Sequence, residues 1–239
     1  MYQNSLGHLY IGTIDGLNIW NGQSVEIFSA SDGYNYFFGN HVKYIIPGSD
    51  EKLYLHTTYG LAILDMITRD VRLFKELALS SKIAVTATGN VFFINSRNEL
   101  QYLNTETSEL TSYKDITISE DATCYRLVLT NDGKLCIFTN EETHLVTFRA
   151  DAESEIRKIE SLGLRCIYIT PDTSETDHHF LVSNDHWLCT FDINNCSIEK
   201  ISPVTSELLK RDSISGIIAD EEGYLISFMQ NGVRRLRHG

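Results

Sequence analysis

Apolar residues in this chain come in short runs that recur at a nearly constant interval. The runs LYIGT, LYLHT, VFFIN, LCIFT, FLVSN and LISFM begin at positions 9, 53, 91, 135, 180 and 225, so successive starts lie 38 to 45 residues apart. After each run comes a tight polar turn and a second stretch, as in IDGLNIW, TYGLAILD, SRNELQYL, NEETHLVTF, NDHWLCTFD and QNGVRRL. The first five units add a third, more polar stretch: SVEIF, DVRLF, ELTSY, SEIRKI and SIEKI. Units two and four to six are preceded by an apolar-x-x-apolar segment, Val42 to Ile45, Cys124 to Leu127, Leu164 to Ile167 and Ile214 to Ile217. Short apolar runs bounded by turn residues read as strands joined by hairpins. No stretch carries the period of a credible helix.

Four short strands per unit of about 43 residues is the pattern of a β-propeller blade. A lone blade exposes two apolar faces, and stacking neighbours buries both while leaving short edges. A β-sandwich, the main rival, has no reason to repeat a four-strand motif at this spacing. The expected fold is therefore all-β, a β-propeller of about six four-stranded blades in one domain, residues 1–239. Its units fall approximately at 1–28, 41–74, 82–113, 123–159, 163–201 and 213–239. Unit one begins at its second strand and unit six ends before a fourth. The first and last blades are thus expected to be incomplete, in an open or irregularly closed propeller or a piece of a larger one.

Charge and cysteine content narrow the function classes. Lys and Arg number 20 against 32 Asp and Glu, a net charge of −12, which repels phosphate backbones; nucleic-acid partners are not expected. No apolar run approaches the length needed to cross a bilayer, and the opening MYQNSLGHLYIG lacks the pattern of an export signal, so no membrane insertion by this chain is expected. The five cysteines, Cys124, Cys136, Cys166, Cys189 and Cys196, lie in the second half and show no zinc-ligand spacing. All but Cys196 sit in apolar runs, where a thiol acts as a small hydrophobe.

Residues 7–22, GHLYIGTIDGLNIWNG, resemble the two-component regulator propeller repeat, whose pattern runs G-x-L-W-I-G-T-x-x-G-L-x-x-Y/W-x-G. Unit two departs from it at His56 and Asp65, and units three to six keep the hydrophobic skeleton. The resemblance implies the extracytoplasmic, periplasmic sensor region of a hybrid two-component system (histidine kinase and response regulator) from glycan-degrading gut bacteria. Such sensors carry two seven-bladed propellers, an immunoglobulin-like domain, a membrane helix and kinase modules.

Gly16, Gly60 and Gly232 sit where a tight hairpin requires positive φ. Gly12 to Gly16 lacks the lysine and following helix of a nucleotide loop. Asp15, Asp50, Asp132 and Asp185 read as turn caps.

Binding residues are sought in loops and along the inner strands, because blade faces are consumed by stacking. Tyr34, Tyr36, Phe37 and Phe38, flanked by Asn35, Asn40 and His41, form either a platform for sugar rings or a plug over the blade edge. Lys43, Tyr125, Arg165 and Ser215 follow the first apolar residue of their inner strands, with Tyr44 and Arg126 next. They either line a channel suited to a carboxylated or sulfated ligand or pair with nearby carboxylates. His178 and His179 are adjacent on a strand and point to opposite faces, so no metal site is expected there, and no cofactor is implied. Trp20 and Trp187 are read as packing residues.

Without a catalytic triad or a paired-carboxylate motif, the expected function is a non-catalytic carbohydrate-sensing module. Its partners would be an oligosaccharide and the rest of a sensor protein or a second copy of the chain. A protein-assembly propeller and a propeller lyase or hydrolase are the alternatives.

Overall fold

The computed structural model describes residues 1–29, 41–48, 51–58, 60–75, 77, 79, 83–149, 152–172, 177–210, 213–230 and 232–237. The chain divides into two compact units, Met1–Glu120 and Asp121–Gly239, each built of three antiparallel sheets. In the first unit, blade 1 comprises β1 (Tyr2–Gln3), β2 (Leu9–Thr13), β3 (Gly16–Trp20) and β4 (Val25–Phe28). Blade 2 comprises β5 (Val42–Pro47), β6 (Lys52–Thr57), β7 (Gly60–Asp65) and β8 (Val71–Lys75), and blade 3 comprises β9 (Ala84–Val85), β10 (Val91–Ile94), β11 (Glu99–Leu103) and β12 (Leu110–Thr117).

In the second unit, blade 4 holds β13 (Cys124–Leu129), β14 (Leu135–Thr139), β15 (Thr143–Arg149) and β16 (Ala152–Ser161). Blade 5 holds β17 (Cys166–Pro171), β18 (His178–Ser183), β19 (Trp187–Asp192) and β20 (Ser197–Pro203). Blade 6 holds β21 (Ile214–Asp220), β22 (Gly223–Phe228) and β23 (Gly232–Arg237). Strands pair in chain order within every sheet, which is the meander of a β-propeller blade.

Two expectations need correction. The first sheet is four-stranded, because Tyr2 and Gln3 pair with Tyr10 and Leu9; blade 6 is the one with three strands among the described residues. A single helical turn, α1 (Ser206–Leu209), also precedes blade 6.

The middle blades explain why the second and third strands of a unit read as unbroken apolar runs. Successive strand residues point to opposite faces, and in these blades both faces are buried. On blade 2, Leu53, Leu55, Ala62 and Leu64 pack against Tyr10, Leu17 and Phe28 of blade 1. The intervening Tyr54, Leu61 and Ile63 pack against Val91, Phe93 and Leu103 of blade 3. The second unit repeats the arrangement. Cys136 and Phe138 of blade 4 meet Leu181, Cys189 and Phe191 of blade 5, whose opposite face, Phe180, Val182 and Leu188, meets Ile226 and Phe228 of blade 6. The Phe138 and Phe191 rings lie edge to face at 5.1 Å. Removing either ring leaves a cavity at a blade interface, at about 3–5 kcal/mol.

The hairpins between second and third strands share a polar device. The Thr13 and Thr57 hydroxyls donate to Gly16 O (3.1 Å) and Gly60 O (3.0 Å), and Thr139 donates to Glu142 O at 2.6 Å. Gly16 and Gly60 have φ of 114° and 147°, and a Cβ there would lie 2.1 and 2.2 Å from the Phe28 and Phe74 carbonyl oxygens of the outer strands. Only glycine fits this approach. The aspartates divide by role. Asp65 and Asp192 accept backbone N–H groups of their own turns; Asp132 and Asp185 accept the Thr130 and Ser183 hydroxyls of theirs and also pair with Lys134 and Lys200, each at 2.5 Å, while Asp50 lies outside the described residues.

Candidate functional site

A one-residue irregularity recurs on the inner strands. The pairing register shifts between Val42 and Tyr44, Cys124 and Arg126, Cys166 and Tyr168, and Ile214 and Gly216. Each shift is a β-bulge, a device that bends a strand and re-aims its side chains. The residues left out of the ladder are Lys43, Tyr125, Ile167 and Ser215, and those that resume pairing are Tyr44, Arg126, Tyr168 and Gly216. Lys43, Tyr125 and Ser215, read from the sequence as equivalent inner-strand positions, each fall in such a bulge. Arg165 does not. It precedes β17, exposed, and its carbonyl accepts the Asn184 N–H at 2.8 Å. The blade 5 residue in the bulge slot is Ile167, and Tyr168 follows it.

In the first unit the bulge gathers His41, Lys43, Tyr44 and His56. Tyr44 pairs with His56 across the ladder, and their rings lie 5.5 Å apart. His56 is buried; one ring nitrogen bonds the Leu79 carbonyl and Nδ1 has no hydrogen-bond partner. Burial, then the positive charge of Lys43 and the neighbouring His41, pushes its pKa down to about 4. His41 and Lys43 are exposed.

In the second unit two thiols span the bulges. Cys124 Sγ donates to Arg126 O at 3.8 Å and Cys166 Sγ donates to Tyr168 O at 3.1 Å, so each thiol reaches past the bulged residue to the carbonyl of the residue that resumes pairing. Tyr125 packs on the core between blades 4 and 5, and burial pushes its phenol pKa up. Arg126 is partly buried and its guanidinium pKa is lowered by that burial, with Tyr168 acting in the opposite sense. Arg126 also acts on His179, buried on β18 with Nδ1 unpartnered, whose pKa falls to about 3 chiefly through burial. Among the described residues no ion pair involves Lys43, Arg126 or Arg165.

Tyr34, Tyr36, Phe37 and Phe38 lie outside the described residues. His178 and His179 face opposite ways. His178 Nε2 lies 3.7 Å from Asp192 Oδ2 while His179 is buried, and no group of three His, Cys, Asp or Glu among the described residues is placed to hold a metal. Trp187 is partly buried under the Lys200 ammonium, 5.3 Å from the ring, whereas Trp20 is 40% exposed.

The sequence reading missed a cleft of about 270 Å³ between blades 2 and 3, lined among others by Lys52, Tyr54, Asp65, Arg72, Thr105 and Glu106. Its lining comes from strand ends and turns far apart in sequence; the polar termini of otherwise apolar strands, Lys52 and Asp65, are the signal that marks it. Tyr54, Arg72 and Glu106 hold the two blades together. Tyr54 Oη donates to Gly89 O at 2.8 Å, Thr105 Oγ1 to the same oxygen at 3.1 Å, and Arg72 to Glu106 O at 3.2 Å and Ser108 Oγ at 3.0 Å.

No protein-family model matches the sequence, and no curated protein matches it. Solved structures do match in fold. The extracellular domain of the hybrid two-component system BT3049 from B. thetaiotaomicron is 17% identical with a TM-score of 0.62, the match covering 100% of this chain and 34% of that one. For the corresponding domain of BT4673 from the same organism the values are 14%, 0.63, 97% and 32%. For PorZ, a surface component of the type-IX secretion system of Porphyromonas gingivalis, they are 14%, 0.66, 98% and 38%. At these identities the likeness defines the fold, a β-propeller shared with extracellular domains of two-component systems. The chain spans about a third of the length of these solved chains.

Proposed function

We propose that this chain is a non-catalytic, ligand-sensing propeller in the extracytoplasmic, periplasmic part of a two-component signalling protein. Its ligand is an oligosaccharide bearing carboxylate or sulfate groups. The observation that carries the reading is the recurring bulge, which presents Lys43 and Tyr44 in one unit and Tyr125, Arg126 and Tyr168 in the other at matching places on the inner strands. A cation beside an aromatic ring suits an anionic sugar: the charge meets the acid group and the ring meets the C–H face. Tyr34, Tyr36, Phe37, Phe38 and His41 of the first unit are proposed as a stacking edge for such a ligand. Binding acts by shifting a population between signalling states, through a difference in affinity for the two.

The test is a glycan array followed by calorimetric titration of the best ligand. Arg126→Ala and Lys43→Ala are each expected to weaken binding about tenfold or more, as loss of a charge-assisted contact does. Tyr34→Ala with Tyr36→Ala is expected to do the same. Wild-type protein that binds no acidic glycan, or binding indifferent to all four changes, would overturn the proposal.

A second reading, an assembly module without a small ligand, is favoured by the exposed apolar face of blade 1, where Trp20, Val25 and Ile27 are 40, 55 and 48% exposed. The likeness to PorZ supports it as well.

A further inference from the structure

The second unit brings two cysteines together across a blade interface. Cys136 lies on β14 of blade 4, fully buried, with its side chain in the core shared with blade 5. Cys196 ends the turn between β19 and β20 of blade 5, partly exposed, and packs on the same core. Cys196 packs on the core that holds Cys136, and each thiol acts on the titration of the other, so the two lie within reach of one another across the blade interface. Their surroundings are built. Asp192 Oδ1 accepts the N–H groups of Asn194 (2.7 Å) and Asn195 (3.3 Å), Asn195 Oδ1 accepts that of Ser197 (3.0 Å), and Cys196 takes a left-handed φ of 57°. The side chain of Asn131, in the turn leading into β14, bonds that of Asn194, so the turns flanking the two thiols are pinned together.

We propose that Cys136 and Cys196 form a disulfide that ties blade 4 to blade 5 when the protein meets a thiol-oxidising environment. The oxidant is a small-molecule or enzymatic disulfide. The thiolate of Cys196, the more accessible sulfur, attacks glutathione disulfide, releasing one glutathione and leaving a mixed disulfide. Cys136 Sγ then displaces the second glutathione, whose sulfur takes up the Cys136 proton. Two cysteine thiols are oxidised, and one disulfide is reduced to two glutathione thiols. Burial pushes both cysteine thiols above their ordinary pKa, so the exchange runs faster as pH rises.

Incubating the whole chain with glutathione disulfide at alkaline pH tests this. The expected results are a loss of about 2 Da in intact mass, a peptide linked through residues 136 and 196, and a Tm rise on the order of 5–10 °C that dithiothreitol reverses. Cys196→Ser, at a partly exposed site that keeps the core intact, is expected to abolish all three, and Cys124→Ser to leave them unchanged. Three outcomes overturn the proposal: an unchanged mass, a stable glutathione adduct on Cys196, or a linkage joining other thiols such as Cys124 and Cys166.

Discussion

His56 and His179 are neutral buried imidazoles, and each leaves Nδ1 without a hydrogen-bond partner among the described residues. Their pKa values of about 4 and about 3 lie below the ordinary 6.5, so between those limits the unfolded chain binds protons that the folded chain refuses. Stability therefore rises with pH across this window: it is retained above about pH 7 and lost as pH falls through 6.5 toward 4. Between pH 7.5 and 5.0 each histidine is expected to remove about 2 kcal/mol of unfolding free energy, and His56→Gln and His179→Gln to flatten the dependence. Urea unfolding at the two pH values measures it; slopes unchanged in both variants would show that neither histidine is held neutral. Gly60 poses a steric question instead. Its φ of 147° and the 2.2 Å approach of Phe74 O to a Cβ predict that Gly60→Ala destabilises by roughly 2–4 kcal/mol, read from the same unfolding curves.

Strands, rather than single side chains, decided how much of this protein could be read in advance. Runs such as LYLHT and GLAILD announced themselves because both faces of blade 2 are buried, and the repeat of such runs is the fold. The two-residue strands β1 and β9 are too short to carry a period, so the first was missed and the third unit showed no inner-strand pattern. The bulges hid more of the site, because a shift of one residue changes which side chain occupies a slot. Aligning apolar residues placed Arg165 beside Lys43 and Tyr125, whereas the ladder places Ile167 there. Cys166 packs in the core as a small hydrophobe, yet the carbonyl bonds of Cys124 and Cys166 depend on backbone geometry that spacing does not reveal. Blades 2 and 6 hold Val42 and Ile214 where blade 5 holds Cys166. Cys166→Val is therefore expected to fold with a loss of about 1 kcal/mol, and Cys166→Ala to lose more by leaving a void. Parallel thermal melts of the two variants distinguish a packing role from one that depends on the thiol bond.

At the scale of the whole molecule, charge and exposed apolar surface act against each other. The net charge of −12 at neutral pH keeps copies apart, and with a sequence pI of about 5.0 that repulsion vanishes in mild acid. Trp20 pairs with Val25 and Asn18 with Ile27, so Trp20, Val25 and Ile27 stand on one face of blade 1, opposite the face packed on blade 2. β4 is moreover the edge strand of its sheet, and edge strands favour pairing with another chain. Weakened repulsion beside an apolar edge predicts self-association that grows as pH falls from 7.5 toward 5, before the buried histidines unfold the protein. Sedimentation velocity across that range, at constant ionic strength, measures it. Val25→Lys with Ile27→Lys places two cations on the edge and is expected to restore the monomer at pH 5.5. Lysine at Met229 and Val233, exposed residues of blade 6, serves as a control of equal charge, expected to leave association unchanged. If both double variants suppress association equally, the effect lies in net charge and the blade 1 face has no part in it.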